Sequence, residues 1–153
     1  LALTSRRWLR NVRFLHGCDP EFVASLILAL RPTVFTPDDV ILPGYRELFV
    51  IYRGVALFGG KLLQAGAAWG EDVLLECEAL RSRSCAKALT YLETNSIGRE
   101  RIFKIAERFP LSLQRLRRYV CFLALHRQIV MIAKIERKLR EAIPEVSGVV
   151  QVL

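Results

Sequence analysis

Hydrophobic positions along the chain change their spacing twice, from helical to alternating and back to helical, and this divides the sequence into three zones. Over residues 5–15, Trp8, Leu9, Val12 and Leu15 recur at helical intervals with arginines between them, and Thr4 or Ser5 is available as N-cap. After the break at Gly17-Cys18-Asp19-Pro20, Asp19 as N-cap and Pro20 at the first helical position open a second helix through about residue 30. Its apolar face is Phe22, Val23, Leu26, Ile27 and Leu30. From Arg31 onward the pattern is one of short strands at 33–35, 40–42, 48–53, 55–58 and 61–65, punctuated by Pro37-Asp38-Asp39, Pro43-Gly44, Gly54 and Gly59-Gly60. Further strands are expected at 84–89 and 91–97. The last third is helical again: 99–108, a break at Phe109-Pro110, then a long helix over 111–142 that Pro144 stops. Its apolar stripe reads Leu116, Val120, Leu123, Ile132, Ile135 and Leu139.

Short, evenly spaced strands between helices predict an α+β fold, a small antiparallel, jelly-roll-like β-roll flanked by N-terminal helices and a long C-terminal helix. The expected division is 1–16 as the end of a linker helix, 17–110 as the roll with its flanking helices, 111–143 as the long helix and 144–153 as a tail.

Candidate chemistry concentrates in residues 63–91, which read as a strand, a glycine turn, one short helical turn over 71–75 and another strand. Backbone N–H groups at a helix start beside basic side chains are a common way to hold a phosphate. Gly70 lets the chain approach a ligand closely, and Glu71 presents a carboxylate suited to a sugar hydroxyl. Asp72 and Val73 continue the turn, and Arg81, Ser82, Arg83, Ser84 and Cys85 form its far side.

Composition narrows the class. A chain of 153 residues that is 52% hydrophobic and 25% charged is long and apolar enough to fold around a substantial core. The net charge of +8 favours anionic partners. On the last helix, Arg115, Arg117, Arg118, Arg127, Lys134, Arg137, Lys138 and Arg140 read either as a solvated face or as a contact with a membrane surface or an acidic partner. Cys18, Cys77, Cys85 and Cys121 form no C-x-x-C pair and His16 and His126 stand alone, so no zinc site is legible and buried thiols in a reducing compartment are expected. No apolar run reaches the roughly 20 residues of a membrane span, and no signal-peptide layout is present, which predicts a module facing the cytosol. The start at Leu1 and the apolar run over 149–153 lead us to expect a piece of a longer polypeptide. No nucleophile–base or carboxylate pair marks a catalytic centre, and an enzyme is not expected.

Gly66, Trp69, Gly70, Glu71, the Arg/Ser run and Ala86-Lys87-Ala88-Leu89-Thr90-Tyr91 together resemble the phosphate-binding cassette of cyclic-nucleotide-binding domains, G-x-x-F-G-E-x-x-L followed by R-[TA]-A-[ST]-V-[RK]-A. Two further segments extend the resemblance over most of the chain. Phe35-Thr36-Pro37-Asp38-Asp39-Val40-Ile41 is similar to the family's F-x-P-G-D-x-I turn, and Leu48-Phe49-Val50-Ile51-Tyr52-Arg53-Gly54 to its Y-F-I-x-x-G strand. Three departures stand out: Trp69 replaces the Phe, Asp38 replaces a Gly, and the arginine that pairs with the cyclic phosphate falls on Ser82. Neighbouring strand residues point to opposite faces, so Arg81 and Arg83 are not equivalent to it without a bulge. The loop over 44–47 is also shorter than usual.

The segment from Phe14 to Phe22 resembles the F-F-x-G-x-x-x-x-F motif of voltage- and nucleotide-gated cation channels, and 88–110 is similar to the A-L-T-Y…I-x-R…x-[YF]-P stretch of ether-à-go-go potassium channels and their protist relatives. The resemblance implies a regulatory domain on the cytoplasmic face of a membrane, part of a homotetrameric, potassium-type cation channel, contacting the rest of the channel polypeptide and neighbouring subunits, coupling its conformation to the pore and binding cAMP or cGMP weakly or not at all. Two other classes compete. A true nucleotide sensor, in a gated channel or a kinase regulatory subunit, needs a replacement for the arginine missing at Ser82. A transcription regulator needs a helix-turn-helix after the long helix, which residues 143–153 are too short to supply, so nucleic acid is not an expected partner.

Overall fold

The computed structural model describes residues 4–143, and in it the first helix breaks earlier than its sequence pattern suggests. Helix α1 spans Thr4–Asn11, Val12 turns extended (φ −93°, ψ 100°), and Arg13–Leu15 form a 3-10 turn. In one straight helix Phe14 would lie about 130° away from the line of Trp8, Val12 and Leu15. The break buries all four together, each 5% exposed or less. Asn11 holds it in place by donating its side-chain amide to the Gly66 carbonyl at 2.9 Å. Helix α2, Pro20–Ala29, starts as expected, with the Asp19 carboxylate accepting the Glu21 N–H at 2.9 Å. Phe22 and Leu26 are buried, while Val23, Ile27 and Leu30 are half-buried against the same core.

Among the described residues eight strands follow: β1 Arg31–Phe35, β2 Val40–Ile41, β3 Glu47–Arg53, β4 Ala56–Phe58, β5 Lys61–Leu63, β6 Ala68–Trp69, β7 Ala86–Ala88 and β8 Leu92–Gly98. They pair antiparallel into two four-stranded sheets, β1-β8-β3-β6 and β2-β7-β4-β5. The molecule is an α+β fold with a β-roll, in agreement with the sequence pattern. β6 is not visible in that pattern, because two residues are too few to show alternation; it exists through the pairing of Phe49 with Trp69. The strand expected over 84–89 contracts to β7, leaving Arg81 to Cys85 without a ladder.

β3 is apolar on both sides, and this organises the core. Leu48 and Val50 pack under the helices with Phe22, Ile102 and Leu116, whereas Phe49 and Ile51 face the roll interior with Phe35, Trp69 and Leu92. The turn between β1 and β2 carries Asp38 at φ 70°, the left-handed region. That explains why a glycine is usual in this position of the resembled motif; aspartate tolerates it better than most residues. The Asp39 carboxylate locks the turn by accepting the Thr36 N–H at 2.7 Å and its hydroxyl at 2.9 Å.

Helix α3, Arg99–Ala106, ends two residues before its expected limit, and Phe109 turns back to pack on Phe22 with ring centroids 5.7 Å apart. Helix α4, Pro110–Ala142, takes Pro110 into its first turn, where the missing N–H has no helical partner to lose. The expected stop at Pro144 lies outside the described residues. Ser112 and Leu116 of α4 are buried and Tyr119, Val120 and Leu123 half-buried, but from Gln128 to Ile143 every residue is exposed. The single stripe expected on this helix therefore divides. Ile132, Ile135 and Leu139 lie about 130° around the axis from Leu116, Val120 and Leu123 and face solvent. The buried thiols expected from the sequence are also not found: Cys18 is half-buried, and Cys77, Cys85 and Cys121 are exposed because they sit in the cassette loop and on the outer face of α4.

Candidate functional site

The cassette opens where β6 ends. Gly70 sits at φ 88°, and a Cβ there would lie 2.5 Å from the Glu47 carbonyl oxygen, so only glycine allows β6 to turn this tightly across β3. The next residues, Glu71–Leu74, form a 3-10 turn, with Val73 and Leu74 buried beneath it. Four residues of this geometry have no macrodipole of consequence, so the turn offers individual N–H groups rather than a helix end. A second 3-10 turn, Glu78–Leu80, leads into the loop from Arg81 to Cys85.

Because this loop is not a strand, hydrogen bonds rather than strand alternation decide where its side chains go. Strand register therefore does not place Arg81 and Arg83. Arg81 turns back on the chain, donating Nε to the Leu75 carbonyl at 2.7 Å and Nη2 to the Glu76 carbonyl at 2.9 Å. Ser82 is fixed by its N–H, which donates to Asp72 Oδ2 at 2.5 Å. Ser82 and Ser84 line the inner cavity of the roll together with Gly70, Asp72 and Val73. Arg83 faces an outer groove shared with Arg46. Cys85 is exposed.

Glu71, the residue read as a sugar contact, is already engaged. Its Oε1 accepts the Arg13 N–H at 3.0 Å and its Oε2 accepts the Tyr119 hydroxyl at 3.1 Å, and it is absent from the cavity lining. The carboxylate thus ties the cassette to the segment after α1 and to α4 at once. Burial and the Glu71 charge push the Tyr119 hydroxyl pKa well above the usual tyrosine range, because ionising it would place an anion beside a carboxylate in a half-buried setting. Asp72 makes the parallel link: its Oδ2 lies 3.5 Å from Arg127 Nη1, and Arg127 also donates to the Leu80 carbonyl at 3.3 Å. Two adjacent acids of the cassette therefore fasten two points of α4.

The inner cavity measures about 50 Å³. Aromatic side chains line it: Trp69 stacks on Phe49 with centroids 4.9 Å apart and planes 12° from parallel, Phe58 lies 6.4 Å from Trp69, and Tyr45 meets Phe49 edge-on at 6.3 Å. Tyr45 is brought there by the short loop after β2, where Pro43–Tyr45 form a 3-10 turn and Arg46 adopts a left-handed conformation at φ 49°. A cavity of that size accommodates a water molecule, whereas small-molecule sites run to about 300–1,000 Å³.

Gly70, Asp72, Val73, Arg81, Ser82 and Ser84 are thus brought together around one cavity, and Glu71, Arg83 and Cys85 are not. Tyr119, Arg127, Tyr45 and Phe49 complete the site and were not legible as members of it. The signal available in the sequence was weak: Tyr119 and Arg127 are among the polar residues on the same side of α4 as Leu116 and Leu123.

Over 116 aligned residues the chain is 27% identical to human cyclic nucleotide-gated channel alpha-2, an alignment covering 67% of this chain and 18% of that protein. The chain thus spans less than a fifth of the length of the relative it matches. No family model matches it. Taken with the helix, roll and cassette described above, the similarity supports reading the chain as a cyclic-nucleotide-binding-like domain.

Proposed function

We propose that this chain is the regulatory domain of a cation channel, lying on the cytoplasmic face of a membrane as part of a longer, homotetrameric channel polypeptide, and that it acts on the pore through its helices while binding cyclic nucleotides weakly or not at all. It has no catalytic role in this reading. The channel assignment rests on the similarity to cyclic nucleotide-gated channel alpha-2. Assignment to a potassium-selective, ether-à-go-go-like branch rests on the resemblance of residues 88–110 and on the serine at position 82.

One observation carries the weak-binding part. The inner cavity that the cassette faces measures about 50 Å³ and is lined by the Phe49–Trp69 stack and Tyr45, so a nucleotide must displace packed aromatic surface to enter it. It would then meet Ser82 where a charge-assisted arginine contact contributes on the order of 1.5–3 kcal/mol, a loss of about 10- to 150-fold in affinity. Titration calorimetry of the 153-residue chain with cAMP and cGMP tests this. Dissociation constants above about 100 µM are expected. Low-micromolar binding of either nucleotide would overturn the reading in favour of a genuine nucleotide sensor.

A further inference from the structure

The end of α4 is a helix without a partner. Residues 128–143 extend roughly 24 Å beyond the last contact with the roll. A helix of this length without tertiary packing is marginal in water. Its residues are nonetheless sorted: Ile129, Ile132, Ile135 and Leu139, each more than half exposed, fall in one sector with Leu125 and Ile143, interrupted by Glu136 and flanked by Arg140. That sector lies about 180° around the axis from the face that Ser112, Leu116 and Leu123 place against the roll. A flat surface can therefore approach the stripe without meeting the rest of the molecule.

We propose that this segment is an interfacial helix that lies on an anionic lipid surface. Its charges are of the sign this requires. Residues 128–143 hold Lys134, Arg137, Lys138 and Arg140 against Glu136 and Glu141, a net charge of +2, and Arg140 pairs with Glu136 at the edge of the apolar sector. Lys134, Arg137 and Lys138 form no salt bridge among the described residues. Cations on the polar side and a broad apolar sector opposite are the pattern of a helix seated at a lipid headgroup boundary, and long basic side chains reach back toward the headgroups. The same charges argue against a second copy of the chain. A parallel two-helix seam through Leu125, Ile129, Ile132, Leu139 and Ile143 would place Glu136 opposite its equivalent, and the positions flanking the seam supply no complementary pairs.

Co-sedimentation of the full chain with phosphatidylcholine vesicles containing about one-third phosphatidylserine tests the proposal. Binding is expected to exceed that to pure phosphatidylcholine at least about tenfold and to fall as salt is raised. Lys134→Ala/Lys138→Ala and Ile132→Gln/Leu139→Gln should each reduce it roughly tenfold or more, with the thermal melt of the roll unchanged because these side chains are exposed. Absence of binding, equal binding to neutral vesicles, or full binding by both double variants overturns the proposal. So does a dimer in sedimentation equilibrium that Ile132→Gln/Leu139→Gln abolishes, which would show a second copy covering the stripe. Cyclic-nucleotide affinity has no bearing on any of these outcomes, so this proposal and the functional reading fail independently.

Discussion

At the scale of single residues, Glu71 is the pivot. One carboxylate accepts from Arg13 N–H and from the Tyr119 hydroxyl, so Glu71→Ala removes two tethers and is expected to lower stability by about 1–3 kcal/mol in urea denaturation. Tyr119→Phe keeps the ring against Phe14, 5.9 Å away, and removes only the hydroxyl contact. It also isolates a pH effect. The folded pKa of Tyr119 is raised by burial and by Glu71, whereas the unfolded hydroxyl titrates near 10. The unfolded chain then loses its proton first, so the contribution is complete below about pH 10 and declines as pH rises toward the folded value. Alkaline unfolding of the parent should therefore be steeper above about pH 10 than that of Tyr119→Phe, measured by near-UV dichroism. Coincident alkaline profiles would show that the Tyr119–Glu71 contact is not formed in solution. Gly70→Ala is the complementary backbone change. A left-handed φ and a Cβ 2.5 Å from the Glu47 carbonyl predict a loss of about 2 kcal/mol or more in the same assay.

At the scale of elements, α4 is two helices in function. Its first half packs and its second half does not, and the border falls at Arg127, whose guanidinium lies near Asp72 and the Leu80 carbonyl. Truncation after Gln128 should leave the melting temperature of the roll within a few degrees of the parent. Truncation after Leu125 also removes Arg127 and exposes Asp72, and should cost about 1–2 kcal/mol. Equal melts for the two truncations, followed by circular dichroism, would mean that the Arg127–Asp72 link contributes nothing. In the β1–β2 turn, Asp38 occupies a left-handed backbone that a β-branched side chain resists. Asp38→Val should lower stability by about 1–2 kcal/mol, and Asp38→Gly should leave it unchanged or raise it slightly.

For the whole molecule, β3 couples two cores, and the helices are not appendages of the roll. Trp8, Val12, Phe14 and Leu15 lie in one cluster with Leu48, Val50 and Leu116. Deleting residues 1–16 therefore strips a buried layer from β3 rather than a linker, and the remainder is expected to lose its cooperative melt and to bind a hydrophobic dye. A folded, soluble fragment from 17 onward would instead support a domain border at that residue. The same coupling gives the proposed channel function a route. Glu71 ties the cassette to the segment after α1 and to α4, and Asp72, which lines the cavity, ties it to α4 again, so under the proposed function a change in Tyr119 or Arg127 should shift channel activation without altering the pore.

The succession of periods in the sequence was sufficient for the order of helix, roll and helix, because hydrophobic spacing reports directly which face of each element is covered. It also located the turn at Asp38, the cap at Asp19 and the tight glycine turn at Gly70, since glycine, proline and aspartate carry local conformational information. The break at Val12, the two-residue strand β6 and the contraction of β7 were decided by tertiary packing, which overrides short local patterns wherever a large side chain such as Phe14 or Trp69 must be buried. The direction of each cassette side chain was likewise settled only in three dimensions. Arg81 turned to backbone carbonyls and Glu71 to the helices because those partners come from residues distant along the chain, and no spacing within the cassette encodes them.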